Sequence, residues 1–111
     1  MENEVIQLKS TQKEYQKAIT TRQQLDAQLN ENQIVKEELS LLPSERIVYK
    51  AIGPALIKMD IVEAKQNVAK RIDYINAEVK RFDDIITNLE KRQDTHRETL
   101  QKLQQDKMRF Q

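Results

Sequence analysis

The clearest pattern in this chain is a seven-residue repeat of apolar positions through its second half. Spacings of three and four residues alternate, and the apolar centre of the repeat comprises Val68, Ile72, Ile75, Val79, Phe82, Ile86 and Leu89. A repeat of this length is typical of a helix that supercoils with a partner helix. Asp60 and Glu63 are spaced as an N-cap residue and its N3 partner. The pattern therefore predicts a helix over residues 60–110, with the seven apolar residues as its coiled-coil seam.

A weaker repeat of the same period occupies residues 4–42. This segment contains no glycine or proline and consists mostly of residues that favour helices. Its apolar positions are interrupted by Arg22, Asn32 and Lys36. We predict a first helix over residues 4–42, with polar breaks in its seam.

The residues between the two predicted helices have the composition of strands. β-Branched and aromatic side chains dominate residues 47–52, as in strands, and Gly53-Pro54 is a turn signal. Residues 55–59 are apolar enough to form a second short strand. Pro43 ends the first helix, because proline disfavours helical conformation at the residue before it. The pattern predicts a β-hairpin over residues 46–59.

Two helices joined by a short insert fold back on each other when each carries an apolar seam. We therefore predict a mainly α fold and a single domain over residues 1–111: a long antiparallel helical coiled-coil hairpin with a small β-hairpin at the bend. Pairing from the bend sets Met1 opposite about Gln101, to within a few residues because helix ends fray. Both chain ends then lie together, away from the hairpin.

The predicted β-hairpin has more apolar side chains than two helix ends can cover. An isolated two-stranded hairpin is only marginally stable in water, and its edges offer unpaired backbone groups. We therefore expect hairpins from several subunits to join into a shared sheet or barrel, which makes the protein an obligate oligomer. The predicted oligomer interface consists of Ile47, Val48, Tyr49, Ala51, Ile52, Leu56, Ile57 and Met59.

A second apolar group lies near both chain ends. In the predicted register, residues 102–111 extend past the partner helix. Loosely held apolar side chains, methionine among them, can repack against varied partners. Geometry alone leaves two interpretations open, a protein-binding tip or ordinary seam positions in a frayed helix end. The residues concerned are Val5, Ile6, Leu8, Leu100, Leu103, Met108 and Phe110.

The composition agrees with long helices and limits the function. Of 111 residues, 33% are charged and 38% hydrophobic, with one glycine, two prolines and no cysteine. A chain without cysteine has no disulfide framework. The net charge of +1 lacks the basic excess of a nucleic-acid-binding surface. No apolar stretch approaches the ~20 residues that cross a bilayer, so we expect no membrane association. No apolar region follows the acidic start, so we expect no signal peptide and an intracellular protein.

The sequence contains no catalytic constellation. The single histidine, His96, occupies a heptad position and has Arg92 and Leu100 at the positions four residues away. One glycine cannot build a glycine-rich phosphate loop, and a narrow helical hairpin offers no concave pocket. We therefore predict no enzyme activity, no cofactor and no metal site.

Residues 42–81 contain several short motifs. They include Val48-Tyr49-Lys50, Gly53-Pro54 followed by an apolar strand, and Glu63-Ala64. The motifs continue in Val68-x-Lys70-Arg71-Ile72-Asp73-Tyr74-Ile75 and in Glu78-x-Lys80-Arg81. They give this part of the chain a resemblance to the β-type subunits of prefoldin. Ser44-Glu45-Arg46-Ile47 departs from it, since a more acidic approach to the strand is expected there. A generic coiled coil would share the helices but not this hairpin sequence.

The resemblance implies a heterohexamer of two α-type and four β-type subunits, whose hairpins form a β-barrel that carries six coiled coils. It implies a cytoplasmic, ATP-independent co-chaperone that captures unfolded clients such as nascent actin and tubulin. The complex would deliver them to the cytosolic group II chaperonin, and the residues near both chain ends would form the client-binding tip. The alternative is a structural coiled-coil adaptor that tethers folded partner proteins.

Overall fold

A computed structural model describes residues 2–43 and 45–109. The chain order is α1 (Glu2–Ser40), β1 (Ile47–Ile52), β2 (Ala55–Asp60) and α2 (Ile61–Arg109). The mainly α fold, with a small β-hairpin between two long helices, is confirmed. Helix α1 ends at residue 40, two residues before its predicted end, and α2 begins at residue 61, one residue after its predicted start. The predicted last residue of α2, Phe110, lies outside the described residues.

Backbone hydrogen bonds explain where α1 ends and where β1 begins. The amides of Leu41 and Leu42 donate to the carbonyls of Glu38 and Leu39, each at 3.2 Å. Bonds of this shorter span tighten the last turn of a helix and satisfy carbonyls that have no intrahelical partner. The Arg46 amide then donates to the Pro43 carbonyl at 3.0 Å. Arg46, predicted within the hairpin, therefore belongs to the turn that precedes it.

The hairpin is antiparallel, with Ile47 opposite Asp60 and Ile52 opposite Ala55. Its two-residue connection begins at Gly53, whose φ of +57° lies in the left-handed region that favours glycine. Proline at position 54 fixes a negative φ at the second residue of the loop. A positive φ followed by a negative φ matches a type II′ turn, whose twist suits two-residue hairpins.

Helix α2 begins with the predicted cap. The Glu63 amide donates to Asp60 Oδ1 at 2.7 Å, which satisfies one of the amides left unpaired in the first helical turn. Asp60 is also the last residue of β2. One aspartate therefore ends the hairpin and starts the helix, so no loop is needed between them.

Internal contacts divide the chain into two compact units. The hairpin unit comprises residues 25–79, and the terminal unit comprises residues 1–24 with 80–111. Each unit therefore contains part of both helices. The assignment of one domain to residues 1–111 stays a prediction.

The hairpin unit has an apolar core where the helices meet the strands. Leu39, Ile61 and Ala64 are buried together, and Ile61 has no exposed surface. Leu42, Val48, Met59 and Val68 pack against this cluster. Leu25 and the seam residues Ile72 and Ile75 are also buried in this unit. The strands are thus anchored to the helices through Val48 and Met59, which are partners in the hairpin.

In the terminal unit the two helices run antiparallel. Arg22 Nε lies 2.8 Å from Asp83 Oδ1, and nearer the chain ends His96 Nδ1 lies 2.8 Å from Glu4 Oε2. Both contacts lie within three residues of the pairing expected from the bend.

Candidate functional site

The hairpin presents apolar side chains on both of its faces. Side chains alternate between the two faces of a strand, so Val48 and Ile52 share one face, and Ile47 and Tyr49 share the other. Val48 and its cross-strand partner Met59 are half-buried against the helices. The turn-proximal part of that face and all of the other face have no such cover within the chain's described residues.

Exposure is high at most of the predicted interface residues. Tyr49 is 59% exposed and Leu56 is 70% exposed, and Ile47, Ile52 and Ile57 are also among the exposed large hydrophobic residues. Ala51 is exposed as well. Of the eight predicted residues, Val48 and Met59 thus contribute to the chain's own core, and the other six form an uncovered surface. We call these six residues the assembly surface.

A groove of about 640 Å³ adjoins the hairpin inside the same unit. Its apolar lining includes Val35, Val48 and Met59, and its polar lining includes Asn67 and Arg71. The Asn67 side-chain amide donates to Met59 Sδ at 3.5 Å. The groove has the size and apolar floor to accept side chains from a neighbouring polypeptide, with polar groups at its margin.

The terminal unit contains residues from both predicted parts of the client-binding tip. The 2.8 Å contact of Glu4 with His96 joins the start of α1 to the last four turns of α2. Val5, Leu8, Leu100 and Leu103 are half-buried there, whereas Ile6 is 58% exposed and Met108 is 76% exposed. All side chains from residue 104 to residue 109 are exposed. The seventh predicted residue, Phe110, lies outside the described residues.

The sequence did not identify the partner of His96. The four-residue spacing along α2 offers it no carboxylate, but α1 supplies Glu4 from the other side of the helix pair. His96 is therefore a half-buried residue that links the two helices. Only a pairing register across the bend could have revealed this contact, because the two residues are 92 positions apart.

Two polar residues are buried between the helices of the terminal unit. Thr11 is 1% exposed and Gln93 is 7% exposed. The Thr11 hydroxyl donates to the Gln7 carbonyl of its own helix at 2.8 Å. Gln93 Oε1 accepts from Arg97 at 3.3 Å, whereas Gln93 Nε2 has no hydrogen-bond partner among the described residues. A seam built this way gains little from apolar burial at these positions.

The seam of α2 is buried to different extents along the helix. Ile72, Ile75 and Leu89 are buried, whereas Val68, Val79, Phe82 and Ile86 are half-buried.

No group of three or more potential metal ligands occurs among the described residues. Within the same residues, no helix is long and apolar enough to cross a membrane.

Comparison with known sequences gives one consistent result. The model of the prefoldin subunit family matches residues 2–107. Prefoldin subunit 6 of Mus musculus and that of Homo sapiens are each 45% identical to this chain over 111 residues, which is all of this chain and 87% and 86% of theirs. Prefoldin subunit 6 of Arabidopsis thaliana is 47% identical over 105 residues, covering 95% of this chain and 81% of its own.

Comparison with solved structures also finds a prefoldin subunit. The crystal structure of the prefoldin beta subunit from Thermococcus strain KS-1 matches with a TM-score of 0.82, covering 92% of this chain and 90% of the other. The two sequences are only 20% identical, so this match concerns the arrangement of helices and strands. The full-length sequence matches carry the assignment, and this chain belongs to the prefoldin subunit family.

Proposed function

We propose that this chain is a β-type subunit of a cytoplasmic prefoldin heterohexamer with two α-type and four β-type subunits. The complex acts as an ATP-independent co-chaperone and has no enzymatic activity. It captures unfolded proteins such as nascent actin and tubulin and delivers them to the cytosolic group II chaperonin. The observation that carries this proposal is the 45% identity to prefoldin subunit 6 along the whole of this chain.

The assembly surface supports the oligomeric part of the proposal. A single hairpin with Tyr49 and Leu56 more than half exposed leaves apolar area in water, at a cost of about 25 cal/mol per Å². Its two strands also have outer edges with unpaired amides and carbonyls, which attract further strands. Hairpins from neighbouring subunits would satisfy both the apolar faces and the edges.

The exposed residues of the terminal unit support the client-binding part. Ile6 and Met108 offer apolar contacts without first having to leave a packed core. Unfolded clients differ in sequence, and an unbranched methionine adapts its shape to different apolar partners. Promiscuous protein-binding surfaces use flexible side chains of this kind.

The oligomeric part is tested by native mass spectrometry of the chain co-expressed with the other prefoldin subunits of the same organism. We expect a heterohexamer that contains this chain. A stable monomer at micromolar concentration, with the hairpin ordered, would contradict the role of the assembly surface.

The client-binding part is tested by deleting residues 102–111. We expect the hexamer to remain intact while suppression of the aggregation of denatured actin, followed by light scattering, falls several-fold. The exposed substitutions Ile6→Ser and Met108→Ser should each weaken suppression to a smaller degree. Tyr74→Ser is the matched control, because Tyr74 is a large, similarly exposed hydrophobic residue of the hairpin unit.

Undiminished suppression by the deletion variant would count against client binding near the chain ends. The adaptor alternative predicts a different result in the same assay. A structural adaptor would bind one folded partner at a fixed ratio and would not protect denatured actin at any concentration.

A further inference from the structure

The apolar surface of the hairpin unit continues past the strands at both helix–strand junctions. At each junction two apolar residues are adjacent in sequence, Leu41-Leu42 before β1 and Ile61-Val62 after β2. Leu42 packs against the core and Ile61 is completely buried. Their neighbours point elsewhere, since Leu41 is 84% exposed and Val62 is 56% exposed. We call Leu41 and Val62 the junction residues.

The exposure of the junction residues is enforced by their surroundings. The amides of Leu41 and Leu42 are both bonded to carbonyls of the last turn of α1, and Leu42 already occupies the core side of this turn. Val62 lies in the first turn of α2, which is held by the hydrogen bond from the Glu63 amide to Asp60. Leu41 could enter the core only by displacing Leu42, which packs against it, and Val62 only by displacing the buried Ile61.

The area of the hairpin indicates that more surface is needed for assembly. A subunit inside a closed ring has two neighbours. Two standard interfaces of about 800 Å² on this subunit, each about 57% apolar, require roughly 900 Å² of apolar surface. The five large apolar side chains of the assembly surface are 45% to 70% exposed. Even with the area of an aromatic side chain each, they would offer only roughly 400–700 Å².

We propose that the junction residues Leu41 and Val62 extend the assembly surface and are covered by a neighbouring prefoldin subunit in the complex. This inference rests on the proposed function. The neighbouring subunit is the fitting occupant because the sequence neighbours of the junction residues, Leu42 and Ile61, belong to the same core cluster as the strand residues Val48 and Met59. The junction residues therefore lie beside the strands, in the same compact unit. A subunit that pairs with the strand edges therefore lies next to both junctions, and apolar contact there contributes part of the missing area.

The test is the double variant L41Q/V62Q, assembled with the other prefoldin subunits of the same organism and diluted stepwise. Glutamine keeps a similar side-chain size and tolerates helices. We expect the subunit concentration at which the complex dissociates, measured by sedimentation velocity, to rise at least tenfold. Circular dichroism and amide hydrogen exchange should show that the variant chain folds as the wild type does.

Two further variants make the result specific. Tyr74→Gln changes an apolar residue that is 66% exposed in the same unit, and it should leave dissociation unchanged. Y49S/L56S removes the two most exposed apolar side chains of the assembly surface and should dissociate the complex.

The outcomes separate this inference from the proposed function. If L41Q/V62Q assembles within twofold of the wild type while Y49S/L56S dissociates, the surface ends at the strands and the inference is wrong, although the proposed function stands. An equal effect of Tyr74→Gln would also overturn the inference, as would an effect confined to self-association of this chain. If the wild-type chain enters no complex, the proposed function and the inference both fail.

Discussion

The two compact units of this chain are stabilised by different kinds of interior. Among the described residues of the hairpin unit the buried ones are apolar, and they are Leu25, Leu39, Ile61, Ala64, Ile72 and Ile75. In the terminal unit the buried apolar residues are Ala18 and Leu89, and the polar Thr11 and Gln93 are buried with them. The same two helices thus have an apolar seam in one unit and a half-polar seam in the other.

The difference shows how one heptad pattern can serve two purposes. Apolar burial is non-directional and contributes in proportion to area, and the buried cluster of Leu39, Ile61 and Ala64 stabilises the hairpin unit in this way. The terminal unit relies more on directional contacts, such as those of Arg22 with Asp83 and of Glu4 with His96. Regions with few buried apolar contacts open locally at lower free energy. The terminal unit is therefore expected to open more readily than the hairpin unit.

The largest expected effect is in the hairpin unit. Ile61→Ala should lower the free energy of unfolding by about 2–5 kcal/mol, because it removes a fully buried side chain and leaves a cavity. Chemical denaturation at one fixed subunit concentration measures this, since assembly makes stability depend on concentration. Ile34→Ala is the matched control, because Ile34 is 47% exposed in the same unit.

The control should change the free energy of unfolding by no more than about 0.5 kcal/mol, as expected for surface positions. Similar losses for Ile61→Ala and Ile34→Ala would mean that the Leu39–Ile61–Ala64 cluster is not the stabilising core. The contrast between the two units would then lose its basis.

The second-largest expected effect is in the terminal unit, where a substitution should stabilise the chain. Gln93→Leu should raise the free energy of unfolding by about 1 kcal/mol, because the buried amide has an unpaired donor and leucine does not. The gain is limited because the variant also loses the hydrogen bond from Arg97. Amide hydrogen exchange in residues 80–109 should slow in parallel.

Gln101→Leu serves as the comparison variant, since Gln101 is exposed on the same helix and should change stability by less than about 0.5 kcal/mol. A loss of stability in Gln93→Leu would show that the polar seam is well matched to its surroundings. In that case the terminal unit would not be the weaker of the two.

Much of the fold could be predicted from the sequence because its signals are local. Pro43, Gly53 and Pro54 mark the only interruption between two helical segments, and Asp60 caps α2 as predicted. The heptad repeat likewise singled out Ile72, Ile75 and Leu89, which are buried. Each of these features depends on spacing within one element, which a sequence pattern records directly.

Contacts across the helix pair were harder to predict because they depend on register. The expected pairing from the bend agrees with the Arg22–Asp83 contact to within three residues, which is too coarse to name the partner, and the positions along α2 alone gave none for His96. The burial of Gln93 also has no local signal beyond its heptad position. The pattern of apolar residues identifies which faces meet, but the direction of long side chains decides which polar groups touch.

The smallest expected effect tests whether the charged contacts of the terminal unit contribute stability at all. Glu14 and Arg92 lie 3.4 Å apart, and both side chains are about half exposed. Exposed ion pairs typically contribute about 0.2–1 kcal/mol, and Glu14→Gln keeps the side-chain length. We therefore expect the free energy of unfolding to fall by less than about 0.5 kcal/mol.

Asp83→Asn should lower the free energy of unfolding more, because its partner Arg22 is closer, at 2.8 Å, and only 26% exposed. Denaturation at low and high salt checks this order, since screening weakens the exposed pair more. A loss for Glu14→Gln as large as that for Ile61→Ala would mean that surface charge stabilises the terminal unit as strongly as apolar burial stabilises the hairpin unit.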